Sequence, residues 1–548
     1  MEFLQDAPRL PHPFHQDRLL QALIERRVPA ERRAALVADL TALGDYACMA
    51  YARRLDSTPG EPVLTQWGPW GERIDRIELT PAWREGPVQT TRHAVLAAGH
   101  DPEAGPHGRL EQFMRVYLYH LASEFYTCPL AMTDGAATAI KASGNERLAA
   151  RALPHFLSRD ADAFWLSGQW MTETAGGSDV GRTGTVARRD DDGQWRLYGR
   201  KWFTSAVVGE AALALARPEG ADQGTDALAL FYVETKHADG RWRELRIDRL
   251  KDKLGTRELP TAEIHLEGLP AEPVGALDHG VRLIAPMLNV TRTWNAVCAT
   301  ATMARCLALA NDYARRRQAF GRPLIEQPLH ARTLADMQAE FEAAFALTFH
   351  VAELLGQVEA SAASPGQAKL LRLLTPLAKL WTGKLSVAIA SETLECFGGA
   401  GYIEDTGLPQ LLRDAQVYAI WEGTTNVLSL DTLRALASTG LEPLTQAIED
   451  WLGHDDAQTE ARNTVRDALA RAMDFIARHD GDPTRLQAGA RGLAITLARA
   501  AAAALLAASA RDARTRDDAR PAAALRGFLA HGIDRLVDDD LDPHALLD

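Results

Sequence analysis

At 548 residues the chain is too long for one hydrophobic core and long enough for two to four domains. With 46% hydrophobic and 24% charged residues it reads as a soluble globular protein, and a net charge of −13 argues against general affinity for nucleic acid or anionic membrane. Five scattered cysteines without a CxxC pair suit free thiols in a reducing cytoplasm; neither a disulfide framework nor a metal site is expected.

In chain order, "MEFLQDAPRLPHPF" lacks the basic and apolar parts of a secretion signal, so a cytoplasmic protein is expected. Residues 1–162 read as an N-terminal α-helical domain, because "DRLLQALIERR" and "GRLEQFMRVYLYHLASEF" repeat apolar residues every three or four positions. Between them, "STPGEPVLTQWGPWGER" reads as irregular. Over residues 163–280 the period shortens in "GQWRLYGRKWFTS", "DALALFYVET" and "TAEIHLEGL", which predicts a middle β-domain built as a sheet or small barrel. Long helices return over residues 281–440 as a helical bundle, including "TWNAVCATATMARCLALANDYARRR" and "LLRLLTPLAKLWTGKLSVAIASETLECFG". Residues 441–548 form a further helical extension, rich in alanine and arginine, with acidic breaks such as "RLVDDDLDPH". The apolar run Ile495–Arg511 is short for a span and carries Arg499, so it reads as a packed helix and no membrane association is expected. The fold class predicted is multidomain α+β, with a β-barrel-like domain among helical ones.

Familiar nucleotide and hydrolase signatures fail. "FGGAGYIEDTG" opens as G-x-G, but Glu404 stands where the third glycine belongs, and the run follows a helix rather than a strand. "AGGSDVG" has Val180 in place of the closing glycine of a nucleophile elbow. Two features remain. In "AIWEGTTNVL" a single carboxylate, Glu422, lies between a tryptophan and Gly-Thr-Thr, and a carboxylate in apolar company is costly to bury uncompensated. Alone, it reads by default as a helix-start glutamate near a turn. Arg315 to Arg317 read equally as a nucleic-acid patch or a solvated helix end.

Six segments in order, "WMTETAGGSDVG", "YGRKWFTSA", "RLKDKLGTRELPTAEIHLEG", "YARRRQAFGRPL", "CFGGAGYIED" and "LLRDAQVYAIWEGTTN", resemble the acyl-CoA dehydrogenase superfamily over roughly residues 165 to 435. The long stretch before the β-domain, the C-terminal extension, "KWF" and the tryptophan before Glu422 resemble the AidB-like branch of alkylation-protection flavoproteins. The resemblance implies FAD, the family fold of two helical domains around a β-domain, and a homo-oligomer, a tetramer of paired dimers with shared cofactor sites.

What the resemblance implies for residues is specific. Glu422 falls on the catalytic glutamate of the "EGT" motif. It would take the α-proton of an acyl-CoA while a β-hydride passes to flavin N5, and apolar shielding by Trp421 would tune such a base. Met171 and Thr172 would meet the flavin ring; Trp202, Phe203 and Thr204 would cover its dimethylbenzene or N5 side. Ser178 would lie near cofactor and CoA. Arg317 would reach a neighbouring subunit's FAD pyrophosphate, as bidentate arginine suits, with Phe320 near the adenine. Glu395, Gly398 and Gly399 would line FAD, and Thr424 and Asn426 would meet its phosphate or ribitol. Arg292 matches an arginine near the active site, while Asn289 replaces an aspartate among the groups that grip CoA. The bulk of Trp421 narrows the acyl pocket, so short or branched acyl groups are expected.

The branch is also associated with double-stranded DNA and alkylation damage, which makes a DNA-associated protective flavoprotein the alternative. From Gly440 onward the chain carries thirteen arginines, no lysine and nineteen carboxylates, a net charge of 13 − 19 = −6. Phosphate contact would then require the arginines to segregate onto one face, so composition disfavours this alternative.

Overall fold

The computed structural model describes residues 6–56 and 60–538, with Ala545 and Leu547. The acidic break "RLVDDDLDPH" lies outside the described residues from Asp539 to His544. The chain forms two compact units: Leu10–Thr302 with Tyr402–Val417, and the N-terminal stretch to Arg9 with Met303–Gly401 and the chain from Tyr418 on.

The first unit opens with helices α1 (Arg18–Arg27) and α2 (Ala30–Leu55), strands β1 (Val63–Trp67) and β2 (Arg73–Glu78), then α3 (Pro81–Arg92), α4 (Gly108–Ala122), α5 (Thr127–Ser143) and α6 (Glu146–Phe156). Side chains set the helix starts: Asp17 accepts from the amides of Leu19 and Leu20, and Thr80 precedes a proline at N1 and accepts from Trp83 N. β1 and β2 correct the irregular reading of "VLTQWGPWGER"; they pair antiparallel with a bulge between Thr65 and Trp67. Gln66 and Arg73 donate to Ile247 O, which fastens this hairpin to the barrel's edge. Among the helices, the buried Asp134 carboxylate accepts from Arg109, Gln112 and the Trp294 indole, and lies 2.7 Å from His100 Nε2. One carboxylate thereby ties α4 and α5 to α7 (Gly280–Arg316).

The β-domain comprises β3 (Ser167–Trp170), β4 (Val186–Arg189), β5 (Trp195–Ser205), β6 (Ala211–Pro218), β7 (Ala229–Glu234), β8 (Leu245–Leu250) and β9 (Thr261–Pro273). Pairings run β6–β4–β5–β9–β7, and β7 pairs back to β6, so the sheet closes on itself and edges are removed. β3 and β8 add to β6 and β9. Inward residues such as Leu197, Ala214, Phe231, Ile247 and Ile264 fill the barrel, as strand alternation dictates. The short α10 (Pro409–Ala415) also belongs to this unit, and its Asp414 accepts from Thr256 N.

The second unit takes the end of α7, a short β10–β11 hairpin (Gln318–Ala319, Arg322–Pro323), α8 (Pro328–Glu359), α9 (Pro365–Cys396) and α11 (Thr425–Thr439). The extension follows as α12 (Glu442–Leu452), α13 (Thr459–Arg478), α14 (Pro483–Arg514) and α15 (Arg520–Ala530). α9 starts on a capping box between Ser364 and Gln367. The apolar α14 is long enough to cross a membrane by length and composition, yet most of it is buried against α8, α9, α11 and α15.

Candidate functional site

In the first unit the predicted flavin residues come from two adjoining segments. Met171 and Thr172 follow β3, and Trp202 N donates to Thr172 O at 3.0 Å, which sets Trp202 to Thr204 beside them. The register of β5 on β9 shifts between Lys201 and Thr204. Such a bulge re-aims side chains, and Phe203 is left 54% exposed while Thr204 is buried. The Lys251 ammonium sits 3.4 Å from the Trp202 ring centroid. The following loop folds against Thr172, since a Cβ at Gly177 would meet its side chain at 3.0 Å; Ser178 lies next along it, exposed.

A buried ion pair flanks both segments. Lys201 precedes Trp202, Glu173 follows Thr172, and Lys201 Nζ donates to Glu173 Oε1 at 2.7 Å and to Leu215 O at 2.8 Å. Glu173 also accepts from Thr185 Oγ1 and from the amides of Gly184 and Thr185. Burial pushes the Glu173 carboxyl up, but the Lys201 charge and these donors outweigh it and hold it below its ordinary value. Asn289 and Arg292 lie one turn apart on α7, both half-buried, so they share a helix face.

The second unit holds the rest. Arg317 N donates to Tyr313 O, and the Tyr313 ring lies 4.8 Å from that of Phe397, which brings the Arg317 turn beside the Glu395–Gly399 segment. Phe320 caps this turn, 96% exposed. Glu395, Gly398 and Gly399 are exposed as well, and a Cβ at either glycine would meet nothing within 4 Å.

Glu422 and Trp421 are half-buried in the loop before α11. Glu422 has φ +58° and Gly423 has φ +108°. The left-handed region costs a non-glycine residue about 1–3 kcal/mol and persists only where its surroundings over-determine it. Thr424 is the N-cap of α11 and accepts from Val427 N; Asn426 lies in the first turn, and both are exposed. Sequence reasoning passed over two contacts of this loop. Lys379 on α9 donates to Gly423 O at 2.6 Å, and Gly383 lets α9 approach the Tyr418 backbone. The signal was present: Lys379 is the lone charge in the apolar run "LLTPLAKLWTG".

The chain matches family models along most of its length. Residues 9–163 match the adaptive response protein AidB N-terminal domain, residues 168–269 the acyl-CoA dehydrogenase middle domain, and residues 278–437 the acyl-CoA dehydrogenase C-terminal domain. It is 38% identical to acyl-CoA dehydrogenase family member 11 of Caenorhabditis elegans over 92% of this chain and 85% of that protein. The chain belongs to the acyl-CoA dehydrogenase family.

AidB of Escherichia coli (strain K12) is 32% identical over 80% of each chain. Among solved structures, Caenorhabditis elegans ACDH-11 in complex with C11-CoA superposes with a TM-score of 0.93 at 36% identity, covering 98% of this chain and 94% of that one. Bd2924 in its apo-form gives 0.86 at 41% identity, covering 92% and 99%. The chain is therefore an AidB-like acyl-CoA dehydrogenase-type oxidoreductase acting on CH–CH groups, and its cofactor is FAD.

The residues present fit that cofactor. Gln169 Oε1 and Thr204 Oγ1 are buried polar atoms without a hydrogen-bond partner among the described residues, one just before Met171 and the other at the end of the Trp202–Thr204 segment. Buried polar atoms call for partners, which a heteroatom-rich flavin edge offers, while the exposed Phe203 offers an apolar face.

Proposed function

We propose that the protein oxidises an acyl-CoA across its α,β-bond, with Glu422 as the base that takes the α-proton. The observation that carries this reading is the left-handed Glu422–Gly423 turn, a costly conformation held at the family's catalytic position. Met171, Thr172, Trp202, Phe203 and Thr204 bind and orient the cofactor's ring. Arg317, Phe320, Glu395, Gly398, Gly399, Thr424 and Asn426 serve its remaining length, with Ser178, Asn289 and Arg292 toward CoA. Bound FAD supplies the acceptor for the hydride that leaves the β-carbon. The exposed Phe320 on its tight turn supports a homotetramer in which a neighbour covers that ring, and the five thiols, none of them in a disulfide, support a cytoplasmic location.

The acyl group is a finer point. Trp421 favours a short or branched chain, whereas the nematode relative holds C11-CoA. An anaerobic titration with acyl-CoAs from four to twelve carbons, isovaleryl-CoA included, decides between them. The flavin band is expected to bleach in wild-type protein and to persist in Glu422→Gln; a wild-type band that no acyl-CoA bleaches overturns the reading.

Ion pairing supports the oxidoreductase over the DNA-associated alternative. Among the described residues, arginines of the extension pair with carboxylates: Arg466 with Glu449, Arg471 with Asp534, Arg478 with Asp538, Arg499 with Glu340, Arg514 with Asp455 and Arg520 with Asp518. Arg511 donates to the carbonyls of Trp451 and Leu452. Carboxylates this close offset the positive charge that a phosphate would meet. A duplex-DNA mobility shift that weakens steeply with salt would reverse this preference.

A further inference from the structure

Lys379 is wholly buried midway along α9. A buried ammonium is costly unless its protons are met, and its Nζ donates to Gly423 O at 2.6 Å, the carbonyl of the residue after Glu422. One helical turn further, a Cβ at Gly383 would lie 2.7 Å from Tyr418 O and 3.0 Å from its carbonyl carbon, so only glycine lets α9 touch the backbone there. Two turns before Lys379, Arg372 pairs with Asp431 on α11 at 2.7 Å. Residues 372, 379 and 383 are spaced by seven and four and share one face of α9. That face grips the run from Tyr418 to Asp431 at three points in antiparallel order. The middle point falls where the backbone is left-handed, at Glu422 and Gly423.

We propose that Lys379 is a positioning residue for Glu422: its ammonium, gripping Gly423 O, holds the Glu422–Gly423 turn in the left-handed conformation that aims the carboxylate, with Gly383 fixing the other end of the loop. This rests on the reading of Glu422 as the base. An ordinary packing contact at the same place would alter stability and leave the balance between rate and binding untouched. A positioning contact lowers the maximal rate with little effect on how tightly substrate is held, because a misplacement of ~1 Å can cost roughly 100-fold.

The test uses FAD-loaded wild-type, Lys379→Met, Gly383→Ala and Glu422→Gln proteins, matched by visible spectrum, and follows anaerobic flavin bleaching by C11-CoA in a stopped-flow instrument. Lys379→Met is expected to lower the limiting rate about 100-fold, with the half-saturating concentration shifted less than about threefold and the oxidised flavin spectrum unchanged. Gly383→Ala, which pushes the loop from its other end, is expected to give the same pattern; it carries the test if the lysine variant is insoluble. A wild-type limiting rate in either soluble variant overturns the proposal, as does a fall matched by loss of bound FAD. Where C11-CoA leaves wild-type protein unbleached, the same comparison is made with isovaleryl-CoA. If Glu422→Gln bleaches at the wild-type rate, or no acyl-CoA from four to twelve carbons bleaches wild-type protein, the reading of Glu422 fails and the proposal with it. If Glu422→Gln is inert while Lys379→Met is unimpaired, the proposal alone fails.

Discussion

Lys201 in the barrel and Lys379 in the bundle are both buried, and each stands beside a segment proposed for the cofactor or the base. Lys201 faces a carboxylate, Glu173, and a carbonyl, Leu215 O. Its pair links the segment after β3, at Glu173, to β5, at Lys201. Lys379 donates to a peptide carbonyl, Gly423 O, next in the chain to Glu422. In the barrel the cation meets a carboxylate and a carbonyl, whereas in the bundle it meets the carbonyl of a left-handed turn beside the proposed base.

The largest effect expected from breaking this contrast is on Glu422. Glu422→Gln keeps the size of the side chain but removes its basicity, so the limiting rate of flavin bleaching should fall by roughly 100- to 10,000-fold, the range of general-base catalysis, while bound FAD is retained. On the barrel side the effect should be on stability. Lys201→Met leaves the buried Glu173 without its counter-charge, at a cost of up to about 3–5 kcal/mol, and thermal unfolding followed by tryptophan fluorescence should begin markedly lower. The double variant Lys201→Met/Glu173→Gln should recover most of that loss, because no charge is then stranded.

Acid should reach the barrel and the N-terminal helices through their buried carboxylates. Burial raises the Asp134 carboxyl, but the Arg109 charge and the donors around it hold it well below the usual carboxylate range, and Glu173 is likewise depressed. For a depressed carboxyl the stabilisation is fully present above the unfolded value, about 4, and is lost as pH falls through the folded one. The carboxylate contribution should therefore be flat above about pH 5 and fall steeply below about pH 4, whereas His93 and His100, which burial holds below their ordinary value, contribute a shallower decline below about pH 6.5. A transition temperature that declines as steeply between pH 7 and pH 5 as below pH 4 would assign acid lability to other groups. The smallest effect is expected at Thr424→Ala, which removes a long N-cap contact of 3.4 Å and should cost about 0.5–1 kcal/mol in chemical denaturation.

The barrel strands were legible because period-two alternation survives wherever one face is buried, as Ile247, Ile264 and Leu266 show. The hairpin Val63–Glu78 was not. Its turn, "GPWG", and the bulge at Thr65–Trp67 break the alternation, and its fastening depends on Gln66 and Arg73 reaching carbonyls more than 170 residues away. Glu422 stood out by its neighbours and its motif, but its left-handed backbone is a tertiary imposition that no local pattern encodes. Lys379 was visible only as an oddity in an apolar helix, because its partner lies 44 residues on.

The most direct test of the central claim, that Glu422 removes the substrate's α-proton, is exchange of that proton in deuterated water. A 3-thia-acyl-CoA cannot complete the oxidation, so the proton step is read alone. FAD-loaded wild-type protein is predicted to incorporate deuterium at the α-carbon, seen by mass spectrometry, and Glu422→Gln to incorporate none above the rate without protein. Equal incorporation by the two proteins would contradict the account and assign the base to another residue.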